Sequence, residues 1–211
     1  YSFYHQYTKN KEISYEYFLK FLDKCILFKN IEILLVSGSN KKNGFDVIQV
    51  LNQLNSDINP NIKFGVAFNP YFSLKEDIEK ERQRILDKLS SGLINSIWFQ
   101  LGSDIKLLEK SFLFLKEHCE NHFIKNHREI KLYGSLFIPS KQSLARFRFR
   151  PWKGVFFSNE YLKYIENANQ ITFEILSFYS DNKIELLIES ECSTKNQFEK
   201  IENIFNLYNK F

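Results

Sequence analysis

The sequence predicts an α/β protein with parallel strands, because short apolar runs alternate with longer amphipathic stretches to the end of the chain. The connections between them are only a few residues long, and strands that each lead into a helix pair in parallel through right-handed crossovers. Two architectures satisfy this pattern, an open doubly wound sheet and a closed (β/α)8 barrel. No Gly-rich phosphate fingerprint follows any strand, since Gly38, Ser39 and Gly44 are too few and too far apart, and this favours the barrel. A complete barrel needs about eight strands and roughly 250 residues. The 211 residues hold six strand candidates, so the expectation is a single barrel domain over 1–211 that falls about two βα units short.

Residues 1–7, YSFYHQY, read as a strand or as an aromatic helix cap. Tyr15, Phe18, Leu19, Leu22 and Ile26 then fall at helical spacing. Residues 31–36 are an apolar run broken only by Glu32, close to the signature of a strand buried on both faces. Phe45, Val47, Ile48, Val50 and Leu51 predict a helix, and 62–68 the next strand. A charged helix over 74–89, a strand over 94–101 and a helix opening at 105–113 follow. The chain closes with a strand over 130–138, one long helix over 160–179, a strand over 184–188 and a helix over 198–208.

Composition excludes the disordered and fibrous classes. The chain is 44% hydrophobic, with 22 Phe, 11 Tyr and 2 Trp to fill a core, and its 7 Gly and 4 Pro do not suit low complexity. No apolar run approaches the roughly 18 residues of a membrane span, and no signal-peptide pattern opens the chain, so a soluble cytoplasmic protein without membrane contact is expected. Cys25, Cys119 and Cys192 are odd in number and widely spaced, which argues against a disulfide framework and for a reducing compartment. The chain starts at Tyr1 and contains no Met, so a longer product or N-terminal processing is expected.

The net charge of +4 is local. Lys141, Arg146, Arg148, Arg150 and Lys153 share a stretch without acids, and outside these five the chain carries 24 basic against 25 acidic residues. Residues 146–153, RFRFRPWK, alternate with period two; if extended, they project three guanidinium groups to one side and Phe147 and Phe149 to the other. Three readings stay open: a site for a small anionic, ring-bearing ligand, a single-stranded nucleic acid contact, and a solvated loop packing its aromatics on the rim.

In either architecture ligands meet the carboxyl ends of strands. Those ends carry His5, Gly38 with Ser39, Asn69 with Pro70, Gln100 with Gly102, Gly134 with Ser135, and Glu189 with Ser190. Ser39, Asn69 and Ser190 also suit plain caps and turns. Gln100 differs, because an amide directly after Ile97, Trp98 and Phe99 is costly to bury unless something hydrogen-bonds it. His118 and His122 with Cys119 form an i, i+4 pair that superficially suits a metal, but no third ligand stands at useful spacing and no metal is expected. No nucleophile elbow is present.

Taken in order, these strand-end residues resemble the methylenetetrahydrofolate reductase family, flavin-dependent (β/α)8 barrels, over nearly the whole chain. A family strand ending near His is followed by one ending in Arg-Gly-Asp; here His5 is followed by Leu34-Leu35-Val36-Ser37-Gly38-Ser39. The family's Gly-Val-Ala-x-x-Pro is matched by Gly65-Val66-Ala67-Phe68-Asn69-Pro70. Its Lys, small-residue pair and strand ending in Gln are matched by Lys88-Leu89-Ser90-Ser91-Gly92 and Ile97-Trp98-Phe99-Gln100. Its Pro-Gly-Ile-x-Pro segment is similar to residues 133–139, YGSLFIP.

The resemblance implies an oxidoreductase that relays hydride from NADH or NADPH through FAD to 5,10-methylenetetrahydrofolate, in one-carbon metabolism. It implies that His5, Gly38, Ser39, Ala67, Asn69 and Lys88 line the flavin, with Lys88 near its phosphates. Gln100 would bond the pterin, and Arg146, Arg148 and Arg150 would lie within reach of the folate's carboxylates. The family's Asp is Ser39 here, and its proton-donating Glu lies on a first strand that this chain lacks by this register. The register therefore implies that the first two βα units are missing, and a homo-oligomer is left open. The alternatives are a folate- or flavin-binding homologue without reductase activity and, behind it, a nucleic-acid-binding protein acting through residues 146–153.

Overall fold

Five parallel strands make the sheet of the computed structural model: β1 (Ile31–Leu35), β2 (Ile62–Phe68), β3 (Ile94–Phe99), β4 (Lys131–Leu136) and β5 (Glu185–Ile188). The structure describes residues 11–28, 31–36, 46–54, 62–126 and 129–210, with the side chains of 11–14 and 122–126 excepted. The helices are α1 (Lys11–Cys25), which precedes β1, α2 (Val47–Gln53), α3 (Lys75–Ser90), α4 (Ile105–Asn126), then α5 (Lys141–Phe149), α6 (Asn159–Lys163) and α7 (Ile165–Asp181), all three between β4 and β5, and α8 (Lys195–Tyr208). The predicted strand over 1–7 lies outside the described residues.

The strands lie in chain order, β1-β2-β3-β4-β5. This corrects the expectation of a (β/α)8 barrel. Among the described residues β1 pairs only with β2 and β5 only with β4, so the sheet is open, half a barrel's worth of strands without closure. Alternating strands and helices dictate parallel pairing equally well for a ring or an arc; closure additionally needs enough tilted strands to complete a circumference.

One main core holds the helices against the sheet. Phe18, Leu22 and Cys25 of α1, Val50 and Leu51 of α2, Ile85 and Leu89 of α3, Leu108 and Leu115 of α4, and Ile175, Leu176 and Tyr179 of α7 pack with Ile33, Val66, Phe64, Ile97 and Phe99 of the strands. Right-handed crossovers between sequential neighbours put the helices on the same side of the sheet. Gly134 admits α7 closely, since a Cβ there would run into the Tyr179 ring. The Tyr179 hydroxyl donates to the Ser135 carbonyl at 3.2 Å.

The opposite sheet face is polar and aromatic, and among the described residues no helix covers it. Leu34 is 41% and Val36 59% exposed, so β1 is buried on one face, not on the two that its apolar run suggested. On this face Ser96 donates to the Glu32 carboxylate, Trp98 Nε1 donates to Ser96 Oγ at 2.8 Å, and the Trp98 ring stacks on Tyr133 with centroids 4.1 Å apart. Gly65 makes this possible: a Cβ there would stand 2.6 Å from both Ser96 Oγ and Trp98 Nε1.

Two further expectations change. Residues 160–179 form two helices, α6 and α7, because Tyr164 takes an extended conformation (φ −137°, ψ 151°) between them. Most of the RFRFRPWK segment is helix α5 and its cap, not an extended strip. Ser140 and Ser143 form a reciprocal capping box at its start, Leu144 and Phe147 are buried at i, i+3, and Pro151 follows the Arg150 cap.

Candidate functional site

The carboxyl ends of β2 and β3 converge under the segment that follows α5. At the end of β2 the Asn69 side chain is fully engaged: its oxygen accepts from the Tyr71 amide at 3.0 Å, and its Nδ2 donates to the Gly154 carbonyl at 3.3 Å. The Asn69 amide donates to Glu81 Oε1 at 3.0 Å. Asn69 is therefore a turn residue that also ties the 152–156 segment to the sheet. Gly102 beyond β3 bridges to Phe156, and the Ser103 amide donates to the Phe156 carbonyl at 3.0 Å. A Cβ at Gly102 would collide with the Tyr71 ring.

Gln100 sits at the centre of this arrangement. Its backbone amide continues the ladder by donating to the Phe68 carbonyl at 2.8 Å. Its side chain is half-buried and follows Trp98 on the open face. The space beside its Nε2 is bounded by Gly154, where an added Cβ would lie 3.7 Å away. Gly154 has φ +85°, a conformation that favours glycine, so the loop turns there without placing a side chain against the amide. Among the described residues the Gln100 side-chain amide makes no hydrogen bond.

Lys88, which the resemblance sets near the flavin phosphates, is turned into the fold. Its side chain, 4% exposed, reaches from α3 to the sheet, and Nζ donates to the Ala67 carbonyl at 2.8 Å. Burial lowers the ammonium pKa, the charge of Glu81 opposes that shift, Arg84 adds to it and Asp46 opposes it. The Ala67 side chain lies on the open face, in register with Trp98. His5, Gly38 and Ser39 lie outside the described residues.

The three arginines do not share a side. Successive helical residues turn by about 100°, so positions two apart diverge widely. The Arg146 guanidinium donates to Glu191 at 2.8 Å and holds that carboxyl below the usual range; Arg148 Nε donates to the Leu144 carbonyl at 3.4 Å; Arg150 is exposed at the cap. Phe147 joins Phe137 and Leu101 in a small second core, whereas Phe149 is 91% exposed.

Turn chemistry accounts for Ser190, whose hydroxyl donates to the Ile138 carbonyl at 3.2 Å. The small pocket beside it, about 30 Å³ and lined by Pro139, Ser143, Glu191 and Lys200, has room for about one water. His118 Nδ1 lies 2.8 Å from the Phe114 carbonyl, and burial pushes the Cys119 thiol up to about 12. The His122 side chain lies outside the described residues.

Sequence reading missed the Trp98–Tyr133 platform, the Asn69–Gly154 tie and helix α5. The first two join residues far apart in the chain and leave no local signal. The third had one: Ser140-x-x-Ser143 after Pro139, with Pro151 closing the segment. Compared with models of known protein families and with curated proteins, the chain matches none.

Proposed function

We propose that the carboxyl edge of the sheet binds the ring of a folate and serves a flavin-dependent reduction of 5,10-methylenetetrahydrofolate to 5-methyltetrahydrofolate, with NADH or NADPH as hydride donor. The observation that carries this reading is the Gln100 amide, half-buried on the open face and without a hydrogen-bond partner among the described residues. An amide presents a donor and an acceptor side by side, which suits the edge of a pterin, and a half-buried polar group gains most from a partner of that kind. The Trp98–Tyr133 stack on the same face supplies flat apolar surface near the amide. Asn69 and Gly154 hold the covering loop clear of Gln100.

A bound FAD would supply the hydride relay between the nicotinamide and the methylene carbon. The described residues fit it only in part. Ala67 offers a small side chain on the open face, but the Lys88 ammonium is enclosed and turned to a carbonyl of the sheet, so it does not present itself to phosphates. That orientation favours a second reading, a folate-binding homologue without reductase activity.

The test is equilibrium binding of methylenetetrahydrofolate to the full chain. Gln100→Ala should weaken it about fivefold to a hundredfold, corresponding to about 1 to 3 kcal/mol, with an unchanged circular dichroism spectrum. Equal affinity in the variant removes Gln100, and the reading with it. A yellow protein bleached by NADH or NADPH and restored by methylenetetrahydrofolate supports the reductase; folate binding by a colourless protein supports the second reading.

A further inference from the structure

Apart from the ring site, the feature that asks most for a partner is the tip formed by the end of α5 and the turn after it. Phe149, the last residue of α5, is 91% exposed, and Trp152 is 41% exposed. Arg148, Arg150 and Lys153 surround them at the surface. The chain has no Asp or Glu over residues 130–159, and Glu191, which borders α5, is engaged by Arg146. The tip is also rigidly based. The Trp152 ring stands edge-on to Phe147 at 4.8 Å and 89° and to Phe137 at 6.1 Å and 88°, so its inner part is held in the second core while its outer part faces water.

We propose that this tip binds an anionic lipid surface. Phe149 and the outer part of Trp152 enter the boundary between headgroups and acyl chains, and Arg148 and Arg150 meet the lipid phosphates. Apolar insertion and attraction to anionic headgroups are the two components of interfacial binding, and basic residues next to exposed aromatic rings supply both. The contact proposed for the tip is peripheral, and no helix among the described residues is long and apolar enough to cross a membrane. A single-stranded nucleic acid fits less well. Two guanidinium groups neutralise about two phosphates, a salt slope of only about −1.4, and stacking proteins present a series of rings along a groove instead of one protruding tip. The proposal stands apart from the folate reading, since it uses neither Gln100 nor Asn69.

The test is co-sedimentation of the full chain with vesicles of phosphatidylcholine alone and with added phosphatidylserine, followed by tryptophan emission. Binding should require phosphatidylserine, shift the emission to the blue, and lose that shift in Trp152→Phe. Phe149→Ser, a change at a surface position that leaves the fold intact, should weaken partition about tenfold or more. Arg148→Gln and Arg150→Gln should each weaken it about fivefold. The proposal is overturned by no binding, by vesicle binding that Phe149→Ser leaves unaltered, or by binding to a single-stranded oligonucleotide in place of vesicles.

Discussion

Lys88 and Gln100 show how far a residue's role can be read from its neighbours in the chain. The cost of an amide after three large apolar residues was visible in Ile97-Trp98-Phe99-Gln100, and the structure leaves that amide half-buried with no partner among the described residues. Lys88 was placed by resemblance alone, and its ammonium turns inward to the Ala67 carbonyl. A lysine's long stem hides this choice, since the same position on α3 serves a head that reaches the surface or one that stays beneath it. Burial is the leading cause of its lowered pKa, so charging Lys88 opposes folding. Lys88→Met should therefore cost less than about 1 kcal/mol at neutral pH, because relief from desolvation offsets the lost hydrogen bond. The unfolded chain keeps this proton up to its ordinary value of 10.5 while the folded chain releases it earlier, so between those values stability rises with pH. Denaturant midpoints measured from neutral pH to about pH 10 should rise less in Lys88→Met than in the parent chain.

Among elements, the five described strands were legible because each is an apolar run ended by a small or polar residue, and their order along the chain was right. Helix α5 was not, because Arg and Phe alternate through it and period two competes with the i, i+3 pair of Leu144 and Phe147. The packing of Phe147 into the second core decides for the helix. The break at Tyr164 was equally hidden, since apolar residues continue on both sides of it. The approach of α7 to β4 depends on the missing side chain at Gly134. Gly134→Ala drives a methyl into the Tyr179 ring and should destabilise the protein by about 1 to 3 kcal/mol, seen as a lower denaturant midpoint with an unchanged slope.

At the scale of the whole molecule, the parallel α/β class followed from the pattern, but closure did not, because a repeating βα unit carries no count of how many repeats complete a ring. The core itself makes a prediction. Tyr71, Tyr161 and Tyr179 are 2% exposed or less, and burial raises all three hydroxyl pKa values, that of Tyr161 to about 12. Unfolded tyrosines ionise near 10.0, so the stability these groups lend is complete below that pH and is lost as pH climbs from 10 toward 12. Tyrosinate absorbance should consequently rise in two stages, exposed rings first and the buried three together with the loss of circular dichroism; one smooth stage ahead of unfolding would contradict their enclosure. The strictly sequential strand order has a further effect during synthesis. Among the described residues each strand hydrogen-bonds only with those made just before and just after it, so a chain leaving the ribosome can extend this sheet unit by unit, always at a growing rim, and none of the described strands has to be inserted between two that are already joined.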